Sequence, residues 1–170
     1  MKKLIILLLL VSVLPSCDLV KDAEENTEVK EIVLRAPLQK RVAQDNDFAF
    51  ELLRKTITNN NDENVFLSPM SVSIALGMAL NGAENETETQ IAETLRFKDM
   101  TYAEINEYYK IMQSNLPNVD PKVKLSIANA VWYDMQFDVK QSFLDVNAEN
   151  FDAYIKMLDF KSPTALDTIN

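Results

Sequence analysis

The sequence predicts an α+β chain, helical in its first two thirds and alternating strand and helix after that. Three observations carry this expectation. Apolar residues recur at helical spacing in several stretches between residues 48 and 116. One of these, residues 70–80, holds no charged residue and is opened by Ser68-Pro69. After Pro121 the period changes to strict alternation and holds to Tyr133. A length of 170 residues suits one folded domain.

The first residues read as an address. Met1-Lys2-Lys3 is a short positive start, and residues 4–14 are an almost unbroken apolar run. In a helix that run covers about half of a ~30 Å bilayer core, so it fits a signal-peptide core rather than a membrane span. Leu14-Pro15-Ser16-Cys17 follows and resembles the bacterial lipobox, although Pro15 departs from its commonest pattern. That resemblance implies lipid attachment at Cys17 on sulfur and amine, with Cys17 as the first mature residue. Loss of residues 1–16 removes Lys2 and Lys3 and makes the chain more acidic. Two or three acyl chains anchor stably where one does not, so membrane attachment through the N-terminal lipid is expected. The expected location is the outer membrane or cell surface, facing either the exterior or the periplasm. An ordinary secreted protein with a stray cysteine is the alternative. Residues 17–44 begin polar and acidic (Asp22, Glu24, Glu25, Glu28) and are expected to be a tether. A first strand or helix around Ile32-Val33-Leu34 is the competing reading.

The folded part is expected over residues 45–170. Asp45-Asn46-Asp47 offers N-cap side chains, and Phe48, Leu52, Leu53 and Ile57 follow on one helical face, ending near Asn59-Asn60-Asn61. Asn64-Val65-Phe66-Leu67 reads as a brief buried strand. Ser68 then caps a helix with Pro69 at its first position. With no charge anywhere around it, that helix is expected to be buried on all sides. Gly77 inside it points to a close contact, and Asn81-Gly82 ends it with a residue suited to positive φ. Thr87 and Gln90 have capping-box spacing ahead of Ile91, Ala92 and Leu95. A further helix carries Tyr102, Ile105, Tyr109, Met112 and Leu116 and stops at Pro117. An aromatic stripe of this kind reads as core rather than as a ligand site.

The alternating stretch puts Val123, Leu125, Ile127, Asn129, Val131 and Tyr133 on one face of a long strand. Asn129 stands out there, because an unpaired amide inside an apolar face costs roughly 1–3 kcal/mol. It must find hydrogen-bond partners elsewhere in the chain. A helix over residues 140–148, an extended piece over 153–160 and a cap at Ser162-Pro163-Thr164 complete the pattern.

Composition excludes several functions. With no His there is no Ser-His-Asp or Cys-His catalytic pair and no His-ligated metal site. One Cys rules out an intrachain disulfide and a thiolate metal cluster. Two Gly are too few for a phosphate-cradling loop. A net charge of −9 argues against a nucleic-acid partner, which would need Lys and Arg to displace counterions. No cofactor and no catalytic residue is expected.

Asn64-Val65-Phe66-Leu67-Ser68-Pro69-Met70-Ser71-Val72-Ser73, continued to Asn81-Gly82-Ala83, resembles the N-terminal core of serpins. Thr87-x-x-Gln90-Ile91, Leu125-Ser126-Ile127-Ala128-Asn129-Ala130-Val131-Trp132, Phe143-Leu144 and Phe160 agree in order and separation, from about Asn46 to the last residue. The resemblance implies the serpin fold, N-terminal portion only: helices A to E, strand six of sheet B, strands one and two of sheet A, and the start of helix F. It implies a family of suicide inhibitors whose cleaved reactive loop inserts into sheet A, with serine or cysteine proteases as partners. It also implies a shutter region under that sheet, to which Ser68, Ser71 and Asn129 correspond, the two serines giving Asn129 its partners. A complete serpin is more than twice this length, and its reactive loop lies in the part not matched here. The chain is therefore expected to be an N-terminal fragment, not inhibitory alone, and residues 17–170 are expected to be partly unfolded or to aggregate. The alternatives are a non-inhibitory serpin-fold binding or structural lipoprotein and, more remotely, a hydrolase using two of the 26 carboxylates.

Overall fold

The computed structural model describes residues 28–59, 64–97 and 99–169. The expected signal peptide, Cys17 and the first part of the expected tether lie outside the described residues.

Helix α1 spans Ala36–Asn59, so it begins well before the Asp45 cap expected from sequence. The reason is an inward stripe with a charged pair inside it. Leu34, Leu38, Arg41 and Phe48 are buried at helical spacing, and Asp45 sits between the last two. Residues 28–44 are therefore not a free tether: Lys30 N donates to Val119 O at 2.8 Å, and Arg35 pairs with Glu107 and Glu104.

Residues 64–67 form no strand, and the Phe66 side chain is fully exposed. A strand needs a neighbour, and no other described strand runs beside this one. Helix α2 spans Pro69–Leu80 with Ser68 as N-cap. It is not buried all round. Ser73, Ile74, Gly77, Met78 and Leu80 face the core, while Ser71, Ala75 and Ala79 form an exposed stripe of small residues. Being uncharged thus does not force burial on every face when the outward side chains are this short. Gly77 behaves as expected: a Cβ there would meet Tyr109 Cε2 at 2.6 Å. Gly82 does not adopt positive φ. It is small because the Phe143 ring lies 2.8 Å from where its Cβ would stand.

Helix α3 spans Asn85–Thr94 after Glu84, which makes no side-chain cap bond. The expected Thr87–Gln90 box lies inside the helix instead, and Gln90 Nε2 donates to Glu86 Oε1. Helix α4, Tyr102–Asn115, starts with a true capping box between Thr101 and Glu104 and ends in a 3-10 turn over Leu116–Asn118. Strand β1 (Asn129–Asp134), helix α5 (Gln141–Phe151) and strand β2 (Ala153–Leu158) make a parallel crossover unit, with Asn129 level with Ala153. The long strand expected from residue 123 is paired only from Asn129, because β2 offers partners no earlier. Helix α6, Ala165–Ile169, follows the Ser162 turn.

The core lies where α1, α2, α4 and α5 meet. Tyr109 is its centre, wholly buried, with Phe97, Tyr108 and Phe151 packed on it at ring distances of 5.4–6.1 Å.

Candidate functional site

Ser68 enters α2 in an extended conformation, so its hydroxyl turns back over the first turn. Ser68 Oγ accepts from Ser71 N at 3.4 Å and shares a 2.8 Å hydrogen bond with Ser71 Oγ. Both serines are exposed. They border an open groove of about 690 Å³ between α2 and the run 125–130, and Asn129 lies on its opposite wall.

The structure thus brings Ser68, Ser71 and Asn129 to one groove, but it corrects the expected bonding. Asn129 Nδ2 donates to Gln113 Oε1 and, at 2.8 Å, to Phe151 O. Its donor Nδ2 is directed to α4 and α5, and the Ser68 and Ser71 hydroxyls bond to each other rather than to Asn129. Gln113 supplies the rest of the arrangement, with Nε2 donating to Tyr109 O at 3.2 Å and Asn150 O at 3.3 Å. Asn150 and Phe151 end α5, where carbonyls have no partner within the helix. Asp152 then turns the chain through φ 47° into β2. No periodicity marks Gln113, whose role is visible only once the C-terminal end of α5 is placed beside α4.

A second polar cluster lies deeper, around Asp45, which stands inside α1 rather than capping a helix as its sequence position suggests. Arg41, with no exposed surface, donates to Leu95 O and Asp45 Oδ1 and lies 4.2 Å from the Phe97 ring centre. Tyr108 donates to Asp45 Oδ2 at 2.5 Å, and Ser73 Oγ donates to Asp45 Oδ1 at 3.3 Å. The single Ser73 proton is then committed to Asp45, so Tyr109 is the donor in its 2.5 Å bond with Ser73. Burial pushes the Asp45 carboxyl above its usual range against the pull of Arg41. Burial likewise raises both phenols, that of Tyr109 up to about 12. Arg41, Ser73, Tyr108 and Tyr109 are buried and only the edge of the Asp45 carboxylate reaches the surface, so the cluster mainly ties α1, α2 and α4 together. Outside it, a largely apolar groove of about 600 Å³ runs between the α2–α3 corner and Trp132, Phe137 and Phe143. Among the described residues no helix is long and apolar enough to cross a membrane.

Comparison with known proteins places this arrangement. The family model described as Serpin (serine protease inhibitor) matches residues 43–170. Rat Serpin A12 is 32% identical over 115 residues, covering 68% of this chain and 28% of the relative. Sheep thyroxine-binding globulin is 33% identical over 132 residues, covering 76% of this chain and 32% of the relative. Among solved structures, reactive-loop-cleaved human thyroxine-binding globulin superposes with a TM-score of 0.70 at 31% identity, over 79% of this chain and 41% of that one. The thermophilic serpin tengpin in its latent state gives 0.67 at 32% identity, over 82% of this chain and 36% of that one. The chain spans about a third of the length of the relatives it matches. Helices α1 to α5 with the parallel pair β1–β2 are the N-terminal portion of the serpin fold, and the chain belongs to the serpin family.

Proposed function

We propose that this chain supplies the N-terminal third of a serpin that inhibits serine-type endopeptidases by adding its cleaved reactive loop as a strand to the sheet containing β1 and β2. The observation that carries this reading is the sheet itself. β1 and β2 pair in parallel from Asn129 with Ala153 to Asp134 with Leu158, and together they begin the sheet that this reading needs. A sheet gains a strand by hydrogen-bonding the backbone of an inserted segment, which is the step this reading assigns to the cleaved loop. Beside the sheet lies the groove edged by Ser68 and Ser71, and α2 presents only Ser71, Ala75 and Ala79 outward. Short side chains make low ridges, over which a sheet shifts without large steric barriers. In this reading Ser68, Ser71 and Asn129 form the shutter, and the chain has no catalytic role of its own. Acyl chains on Cys17 hold the protein at a bacterial envelope, outside the cytoplasm, where its partners are proteases.

The test is incubation of the protein at its relatives' length with trypsin-, elastase- and papain-like proteases. An SDS-resistant complex between inhibitor and protease is expected. Simple cleavage with release of both products would overturn inhibition. It would favour the second reading, a serpin-fold binding protein, which draws support from the relatives named thyroxine-binding and corticosteroid-binding globulins.

A further inference from the structure

We infer that Gln113 is the positioning residue that latches β1 to the helical layer, so that β1 and β2 move relative to α4 only when this one side chain lets go. The inference rests on the serpin reading for its consequence and on hydrogen bonding for its substance. Gln113 belongs to α4, Asn129 is the first residue of β1, and Asn150 and Phe151 close α5. Two side-chain amides therefore join three elements. Gln113 Oε1 receives Asn129 Nδ2, Gln113 Nε2 reaches Asn150 O at 3.3 Å, and Asn129 Nδ2 reaches Phe151 O at 2.8 Å.

The placement makes the arrangement mechanical as well as stabilising. Asn129 is level with Ala153, directly after the left-handed turn at Asp152, so the latch sits at the shared origin of both strands. It fixes their register against each other and their height against α4. Upstream, residues 123–128 belong to no helix or strand and so give β1 no ladder of its own. If the latch opens, two carbonyls at the end of α5 lose their donors together, which makes release cooperative. In a serpin whose sheet parts to admit a new strand, Gln113 then sets how readily β1 and β2 shift against α4. Ser68 and Ser71 take no part in the latch, since their hydroxyls bond to each other.

The test uses the protein at its relatives' length and hydrogen–deuterium exchange resolved by segment. Gln113→Met keeps the volume and removes both hydrogen-bonding ends. It should speed exchange in β1 and β2 by about tenfold, the effect of losing roughly one net hydrogen bond, and leave the first turns of α2 and α4 unchanged. Asn129→Ala should give the same local increase, and the double variant no further one. Gln113→Glu, which keeps an acceptor but sets a carboxylate against two carbonyls, should also loosen both strands. Unchanged β1–β2 exchange in Gln113→Met, a uniform rise across every helix, or full additivity in the double variant would each overturn the inference. Exchange requires no protease, so a chain with the expected coupling but no inhibitory complex would refute the proposed function and leave the latch standing.

Discussion

Replacing Gly77 by alanine puts the packing of α2 on Tyr109 to a quantitative test. The added Cβ would lie 2.6 Å from Tyr109 Cε2, 3.2 Å from Cδ2 and 3.3 Å from Phe151 Cε1. Tyr109 has little freedom to yield. It is fully buried, its ring is flanked by Phe97, Tyr108 and Phe151, and its hydroxyl is tied to Ser73. Overpacking at such a site costs about 1–3 kcal/mol, and shifting the ring adds about 1 kcal/mol for the strained hydrogen bond. Against this, alanine is favoured over glycine within a helix by about 1 kcal/mol. The balance is a loss of about 1–3 kcal/mol, read as a lower urea midpoint at unchanged slope in the protein at its relatives' length, followed by fluorescence. Removing the tether with Tyr109→Phe should reduce the cost of Gly77→Ala, because the ring is then free to slide. A Gly77→Ala chain as stable as the parent, or an equal cost in both backgrounds, would refute this packing.

Asp45→Ala should destabilise by about 3–5 kcal/mol by leaving Arg41 buried without its counter-charge, whereas the pair Arg41→Met, Asp45→Leu should lose much less; equal losses on denaturation would contradict a coupled pair. Hydrogen bonds from Arg35 hold the Glu107 carboxyl below its ordinary 4.5, and bonds from Thr101 do the same for Glu104. Their contribution is therefore complete above pH 4.5 and is lost as pH falls through the lower folded values, so the stability gap between the parent and Arg35→Gln should close on acidification and in high salt. Melting curves across pH and salt check it, and a gap that widens in acid would give the wrong sign. Phe50 and Phe66 are among the most exposed large apolar side chains, so Phe50→Ser with Phe66→Ser should lower binding of a hydrophobic dye while shifting stability by less than about 1 kcal/mol.

Elements whose signals are local were legible in the sequence. Ser68-Pro69 starts α2 by its own hydroxyl and ring, the stripe through Tyr102, Ile105, Tyr109 and Met112 runs the length of α4, and the return to extended chain after Phe151 is present as β2. Elements that depend on a distant partner were not. Residues 64–67 and 123–128 have strand-like composition, yet pairing decides whether a strand exists, and neither is paired here. The start of α1 was hidden because two positions of its inward stripe carry Arg41 and Asp45, which cancel each other's charge only once folded. The candidate site divides in the same way. Alternation marked Asn129 as an inward amide in need of partners, and the structure supplies them. Which partners depended on where the end of α5 falls against α4, and no pattern in Gln113 or Asn150 announces that.

On the proposed reading, the sheet begun by β1 and β2 takes up a further strand once the reactive loop is cut. The most direct measurement of that uptake is the melting of the protein at its relatives' length before and after a single cut in the reactive loop. A marked rise in melting temperature on cleavage, with the chain still held together, is the result this account predicts. A melting temperature that stays level or falls after the cut would mean that no strand enters the sheet, and would overturn the inhibitory reading.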